Sequence, residues 1–123
     1  MLLDSNIVIY TGKPNHEFLR DFIEANPCSA STVTRVETLG FHNITDDERI
    51  IYEEIFDIID LLPLSSDVVE EAVKLRQQRK MSLGDALVAA TALVWNLPVM
   101  TRNVDDFKWI PNLTLINPFD IIP

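Results

Sequence analysis

The sequence predicts an α/β protein with a small, mostly parallel sheet of four to five strands that helices cover on both faces. Three observations support this fold class. Short apolar strand-like segments alternate along the chain with segments whose apolar residues recur at helical spacing. The 123 residues suffice for one domain, predicted over 1–123. A composition of 47% hydrophobic and 24% charged residues is that of an ordinary globular protein.

The first half of the chain is predicted to hold two strands and four helices. Residues 1–4 read as a buried strand with Asp4 at its carboxyl end, and Ser5 as the N-cap of a short helix that ends near Gly12. The further elements are a helix over 16–26 stopped by Pro27, a strand over 27–30, a helix over 34–41, and a helix to about residue 60 that opens with a capping box at 45–48.

The second half is predicted to supply the other strands. A strand over 61–64 precedes helices over 66–79 and 82–96, and strands follow over 98–101 and 113–116. In parallel sheets ligands bind beyond the carboxyl ends of the strands, and both Asp4 and the segment that begins at Thr101 occupy such ends. We therefore expect these two segments to meet.

Carboxylates are the candidate functional groups of the chain. They occur in four distant segments, at Asp4, Glu37, Asp85 and the pair Asp105–Asp106. If the fold gathers them, they form a pocket of hard oxygen ligands without cysteine or histidine, which suits Mg²⁺ or Mn²⁺. The same ions support hydrolysis of phosphate esters.

Helix capping is the competing explanation for two of these acids. Segments 34–37 and 82–85 both resemble capping boxes, in which a carboxylate at the third helical position accepts from a free backbone N–H. Gly84 lies in the first turn of its predicted helix, where it costs up to ~1 kcal/mol relative to alanine. We expect its missing side chain to leave the approach to Asp85 open.

Charge and composition exclude several classes of function. The net charge of −9 argues against a protein that binds nucleic acid through a broad basic surface. The single cysteine, Cys28, is expected to be a small buried hydrophobe, because it has no intrachain partner for a disulfide. No apolar stretch is long enough for a membrane span and no signal peptide opens the chain, so the cytoplasm is the expected compartment.

Four segments in this order resemble the PIN-domain ribonucleases, and among them the VapC-like toxins of type II toxin–antitoxin pairs. The matching segments are Leu3–Asn6, Ser31–Gly40, Gly84–Ala92 and Thr101–Phe107, and the resemblance extends from Met1 to Pro118. It implies a three-layer α/β/α sandwich, a site for Mg²⁺ or Mn²⁺, and endonucleolytic cleavage of RNA through a metal-activated water.

The resemblance also implies roles for individual residues. Asp4, Glu37 and Asp85 match the three acids of the family site and are expected to be catalytic residues and metal ligands. Many relatives carry Asp two residues after the threonine that matches Thr101, where this chain has Asn103. The fourth metal ligand is thus open among Asn103, Asp105 and Asp106. The residues expected to contact phosphate or to orient the ligands are Ser5, Asn6, Thr34, Thr101 and Arg102.

RNA, a cognate antitoxin and a second copy of the chain are the partners that the resemblance implies. Two other functions stay open. One is a non-catalytic PIN-like module that binds RNA or protein. The other is a Mg²⁺-dependent aspartyl phosphatase with Asp4 as nucleophile, which is disfavoured because position 6 is Asn rather than a second acid.

Overall fold

A parallel sheet of five strands lies at the centre of the molecule, and the computed structural model describes it within residues 1–121. The strands are β1 (Leu2–Leu3), β2 (Ser29–Ser31), β3 (Asp60–Leu62), β4 (Val99–Met100) and β5 (Leu115–Ile116). Their spatial order is β3-β2-β1-β4-β5, and every neighbouring pair is parallel. The carboxyl ends of β2, β1 and β4 therefore stand side by side at one edge of the sheet.

Helices pack on both faces of this sheet. They are α1 (Ser5–Thr11), α2 (Glu17–Ala25), α3 (Thr32–Leu39), α4 (Asp46–Ile58), α5 (Ser66–Gln78), α6 (Leu83–Trp95), α7 (Val104–Phe107) and α8 (Pro118–Ile121). Consecutive strand residues point to opposite faces. Leu3 packs into a core with residues of α1, α2 and α4, whereas Leu2 packs into another core with residues of α6. The predicted α/β/α sandwich on a parallel sheet is confirmed.

Two predicted helix starts are wrong. Asp4, not Ser5, caps α1, because the Asp4 side chain accepts a hydrogen bond from the backbone N–H of Ser5. The third helix begins at Thr32, two residues early, because the Ser31 hydroxyl accepts from the Val33 N–H at 3.2 Å. Glu37 therefore lies beyond the first turn of α3 and does not belong to a capping box.

Other predictions hold within the described residues. The capping box of Thr45 and Glu48 at the start of α4 is formed in both directions. Cys28 is buried, as expected. No helix among residues 1–121 has both the length and the apolarity to span a membrane. The predicted domain boundary at residue 123 lies outside the described residues.

Candidate functional site

Asp4 is the centre of the site. It directly follows the central strand β1 and is only 5% exposed. Its Oδ1 accepts from the Ser5 N–H at 2.8 Å, and its Oδ2 accepts from the Thr101 hydroxyl at 2.8 Å. Burial nevertheless raises the pKa of Asp4 to about 6, with further contributions from the negative charges of Asp85 and Glu37. The site thus holds a carboxylate whose charge the protein stabilises only in part.

Glu37 approaches the same region from α3. Its Oε1 accepts from the Ser5 hydroxyl at 2.8 Å, and the Ser5 oxygen lies 3.4 Å from the Thr34 hydroxyl oxygen. A Cβ placed on Gly84 would collide with Glu37 Oε2 and would lie 2.8 Å from its carboxylate carbon. The absence of a side chain at Gly84 therefore makes room for Glu37, whereas the open approach to Asp85 stays a prediction.

Asp85 is at the same time a residue of a helix start and a member of the acidic cluster. Its backbone N–H donates to the Ser82 hydroxyl oxygen at 3.1 Å, so Ser82 caps α6 as predicted. Burial raises the pKa of Asp85, and the charges of Asp106 and Glu37 raise it further, while a hydrogen bond with Ser82 acts in the opposite direction. Capping geometry and an acidic environment thus coexist at this residue.

Thr101 joins the end of β4 to Asp4. Its oxygen donates to Asp4 and accepts from the Asn103 N–H at 3.0 Å and from Asn6 Nδ2 at 3.4 Å. The Thr101 hydroxyl has one proton, which goes to Asp4, so the amide of Asn6 must present its nitrogen. Asn6 Oδ1 is then buried without a hydrogen-bond partner among residues 1–121. No pattern in the sequence points to this acceptor.

The three candidates for a fourth ligand are placed differently. Asp106 acts on Asp85 through its charge. Asp105 instead pairs with Lys108 Nζ at 3.0 Å, and its side chain is 88% exposed. Asn103 is exposed, and its backbone N–H is the group that contacts Thr101. Of the three, Asp106 is therefore the candidate for the fourth ligand, because its charge acts on Asp85.

Arg102 is turned towards aromatic rings. Its guanidinium carbon lies 4.1 Å from the ring centroid of Phe119 and 5.2 Å from that of Tyr10. The two rings meet edge to face at 5.3 Å. The sequence did not predict this cluster, because Tyr10 and Phe119 are far apart in the chain and show no pattern.

Carboxylate, amide and hydroxyl oxygens make up the whole donor set, which fits a hard cation such as Mg²⁺ or Mn²⁺. Asn6 Oδ1 has no hydrogen-bond partner among residues 1–121, and Asn6 Nδ2 contacts the Thr101 oxygen that donates to Asp4, so this free acceptor supports the same fit. Within residues 1–121, however, no three Asp, Glu, His or Cys side chains lie close enough together to hold an ion by themselves. Mg²⁺ commonly keeps several waters, so water-mediated contacts are compatible with this spacing.

Fold and site together define an α/β/α protein with carboxylates gathered at the carboxyl ends of a parallel sheet. A family model described as PIN domain matches residues 1–112. The chain belongs to the PIN domain family, which confirms the resemblance drawn from its four motifs.

Individual relatives agree with this assignment. A protein named Ribonuclease VapC from Rickettsia bellii is 27% identical to this chain, and the match covers 63% of this chain and 66% of that protein, slightly less than two thirds of its length. A toxin–antitoxin complex from Klebsiella pneumoniae contains a chain that is 30% identical with a TM-score of 0.76, covering 95% of this chain and 96% of the other. DNA-bound VapBC from Salmonella typhimurium gives a TM-score of 0.79 at 22% identity, over 94% and 95% of the two chains, which shows the shared fold.

Proposed function

We propose that this chain is a divalent-metal-dependent endoribonuclease and the toxin of a toxin–antitoxin pair. The observation that carries the proposal is the burial of Asp4 next to the charges of Glu37 and Asp85. A buried carboxylate among like charges is costly unless a cation or a proton compensates it. The name of the Rickettsia bellii relative, Ribonuclease VapC, supports RNA as the substrate.

Asp4, Glu37, Asp85 and Asp106 would hold the cation, in part through water. When bound, a divalent ion lowers the pKa of water and polarises the phosphate. The chain fixes two of these ligands by hydrogen bonds, since the Ser5 N–H and the Thr101 hydroxyl orient Asp4 and the Ser5 hydroxyl orients Glu37. Asn103 and Asp105 would lie outside this set of ligands.

Asp85 is the proposed general base. Its carboxylate is half-buried and close enough to Glu37 and Asp106 for their charges to act on it, so it would lie among the groups that surround the water. In the proposed step a carboxylate oxygen of Asp85 takes a proton from the attacking water. The water oxygen bonds to phosphorus while the bond to the 3′ oxygen breaks. The 3′ oxygen takes a proton from solvent, which leaves a 5′-phosphate and a 3′-hydroxyl, and Asp85 returns its proton to solvent. Asn6, whose Oδ1 has no hydrogen-bond partner among residues 1–121, and Thr34 would add neutral polar groups around the cation and the phosphate.

RNA cleavage with Asp85→Asn tests the proposal. The wild-type chain should cut RNA with Mg²⁺ or Mn²⁺ and stop with chelator. Asp85→Asn should lose at least about a hundredfold in rate, the lower bound for an acid–base group. Asp67→Asn is the matched control, because Asp67 is an exposed acid in the first turn of the neighbouring helix α5. It should cleave like the wild type.

Thermal unfolding with and without metal tests whether Asp85 belongs to a metal site or only to the cap of α6. Added Mg²⁺ or Mn²⁺ should raise the melting temperature of the wild type and of Asp67→Asn, but much less that of Asp85→Asn. Metal-dependent RNA binding without cleavage would favour the non-catalytic module. Hydrolysis of small phosphomonoesters with a covalent intermediate on Asp4 would favour the phosphatase.

The proposed partners follow from the same relatives. Chains of this fold occur in the toxin–antitoxin complex from Klebsiella pneumoniae and in VapBC from Salmonella typhimurium. We propose a cognate antitoxin and a second copy of the chain as partners, with the cytoplasm as the compartment and residues 1–123 as one domain. Co-expression with the neighbouring gene product followed by size-exclusion chromatography tests both partners.

A further inference from the structure

Arg102 presents a cation that has no anionic partner in the part of the chain that the structure describes. Among residues 1–121 the ion pairs are Lys13–Glu48, Arg49–Glu53 and Lys108–Asp105, and the Arg102 side chain donates no hydrogen bond to the protein. A guanidinium that stacks on rings keeps its five N–H donors free at its edge.

The aromatic rings hold this cation in one place. Phe119 comes from the C-terminal helix α8 and Tyr10 from α1, and both lie under the guanidinium of Arg102. The ring of His16 lies 5.4 Å from the rings of Tyr10 and Phe119, centroid to centroid, and the ring of Phe18 lies 5.5 Å from that of Phe119. The two rings under Arg102 are therefore themselves packed against other side chains. A supported guanidinium loses less conformational freedom when it binds an anion.

Arg102 lies at the edge of the acidic site. It follows Thr101, whose hydroxyl donates to Asp4. Together with Asn103, Val104, Asp105 and Asp106 it lines a shallow cavity of about 250 Å³. Asp106 of this cavity is one of the two acids whose charges act on Asp85. The cavity thus places Arg102 on the same surface depression as Asp106.

We propose that Arg102 binds a backbone phosphate of the RNA beside the cleaved one, and that Phe119 and Tyr10 position its guanidinium for this contact. The inference rests on the proposed ribonuclease function. It assigns the C-terminal helix α8 a part in substrate binding. Arg102 is then a binding residue, and the two aromatic residues act through it.

A double-mutant cycle on an RNA that the wild type cleaves tests the inference. Arg102→Gln should raise KM about tenfold, the scale of a lost charge-assisted hydrogen bond, with kcat within about twofold. Phe119→Ala should raise KM about threefold, and Phe119→Trp should restore the wild-type value, since Trp is the best cation–π partner. In the Arg102→Gln background, Phe119→Ala should add nothing. The slope of log KM against log salt concentration should fall by about 0.7 in Arg102→Gln.

Arg35→Gln is the matched control, because Arg35 also stacks on a ring, that of Phe56 at 5.5 Å. It should leave both KM and the salt slope unchanged. The inference is overturned if folded Arg102→Gln keeps the wild-type KM and salt slope, or if Phe119→Ala raises KM equally with and without Arg102. If the wild type cleaves no RNA at all, the proposed function itself fails, which is a different outcome.

Discussion

Replacing Asp4 by Asn should stabilise the metal-free protein at neutral pH. The pKa of Asp4 is raised from 3.8 to about 6, so its ionisation costs the folded state roughly 3 kcal/mol at 1.36 kcal/mol per pKa unit. Asn can accept the Ser5 N–H and donate to the Thr101 oxygen, but the Thr101 proton then loses its acceptor, at about 1 kcal/mol. We expect a net gain of about 2 kcal/mol at about pH 7, measured by urea unfolding with chelator.

The way in which stability depends on pH shows why Asp4→Asn should stabilise the protein at neutral pH. Between about pH 4 and 6 the folded wild type binds more protons than the unfolded chain, so its stability falls as pH rises through this window. The advantage of Asp4→Asn should therefore vanish at about pH 4. Asp105→Asn, at an exposed acid, should change little at either pH. Destabilisation by Asp4→Asn of equal size at both pH values would show that Asp4 is only a helix cap and would refute the reasoning.

Three further substitutions test other parts of the structure. Gly84→Ala should displace the carboxylate of Glu37 and lower metal-dependent RNA cleavage at least tenfold, while circular dichroism shows the helix retained or strengthened; unchanged cleavage would contradict the contact. Asp106→Asn should weaken the rise in melting temperature on adding Mg²⁺, whereas Asp105→Asn should not, and equal effects would remove Asp106 from the site. Thr45→Ala should cost about 1 kcal/mol of unfolding free energy at any metal concentration, because it removes the hydroxyl that accepts from the Glu48 N–H in the capping box; a neutral result in urea unfolding would show that this cap contributes nothing.

Periodicity and turn residues were enough to predict the fold. The five strands and the main helices occur where apolar runs and helical spacing placed them, within a few residues. The start of α3 was missed because two hydroxyl residues, Ser31 and Thr34, both qualify as caps in the sequence. Only the end of β2 at Ser31 decides between them, and strand ends depend on pairing with neighbouring strands.

The site was less accessible to sequence reasoning. Strand ends made the approach of Asp4 and Thr101 predictable, because parallel strands align their carboxyl ends. The room that Gly84 leaves for Glu37 was not predicted, since this contact depends on how α3 packs on α6. The support of Arg102 by Phe119 is a tertiary contact of the same kind. Contacts between elements that are distant in the chain leave no local pattern.

The position of Asp4 couples stability to ligand binding. β1 is the central strand between β2 and β4, and Asp4 at its end is buried, so the carboxylate has little access to water. The Ser5 N–H and the Thr101 hydroxyl compensate only part of the lost hydration, as the raised pKa shows. The remaining charge must be balanced by a proton or by a cation from solution. Protons and divalent ions should therefore compete for this carboxylate, and the stabilisation by Mg²⁺ should decline as pH falls below about 6.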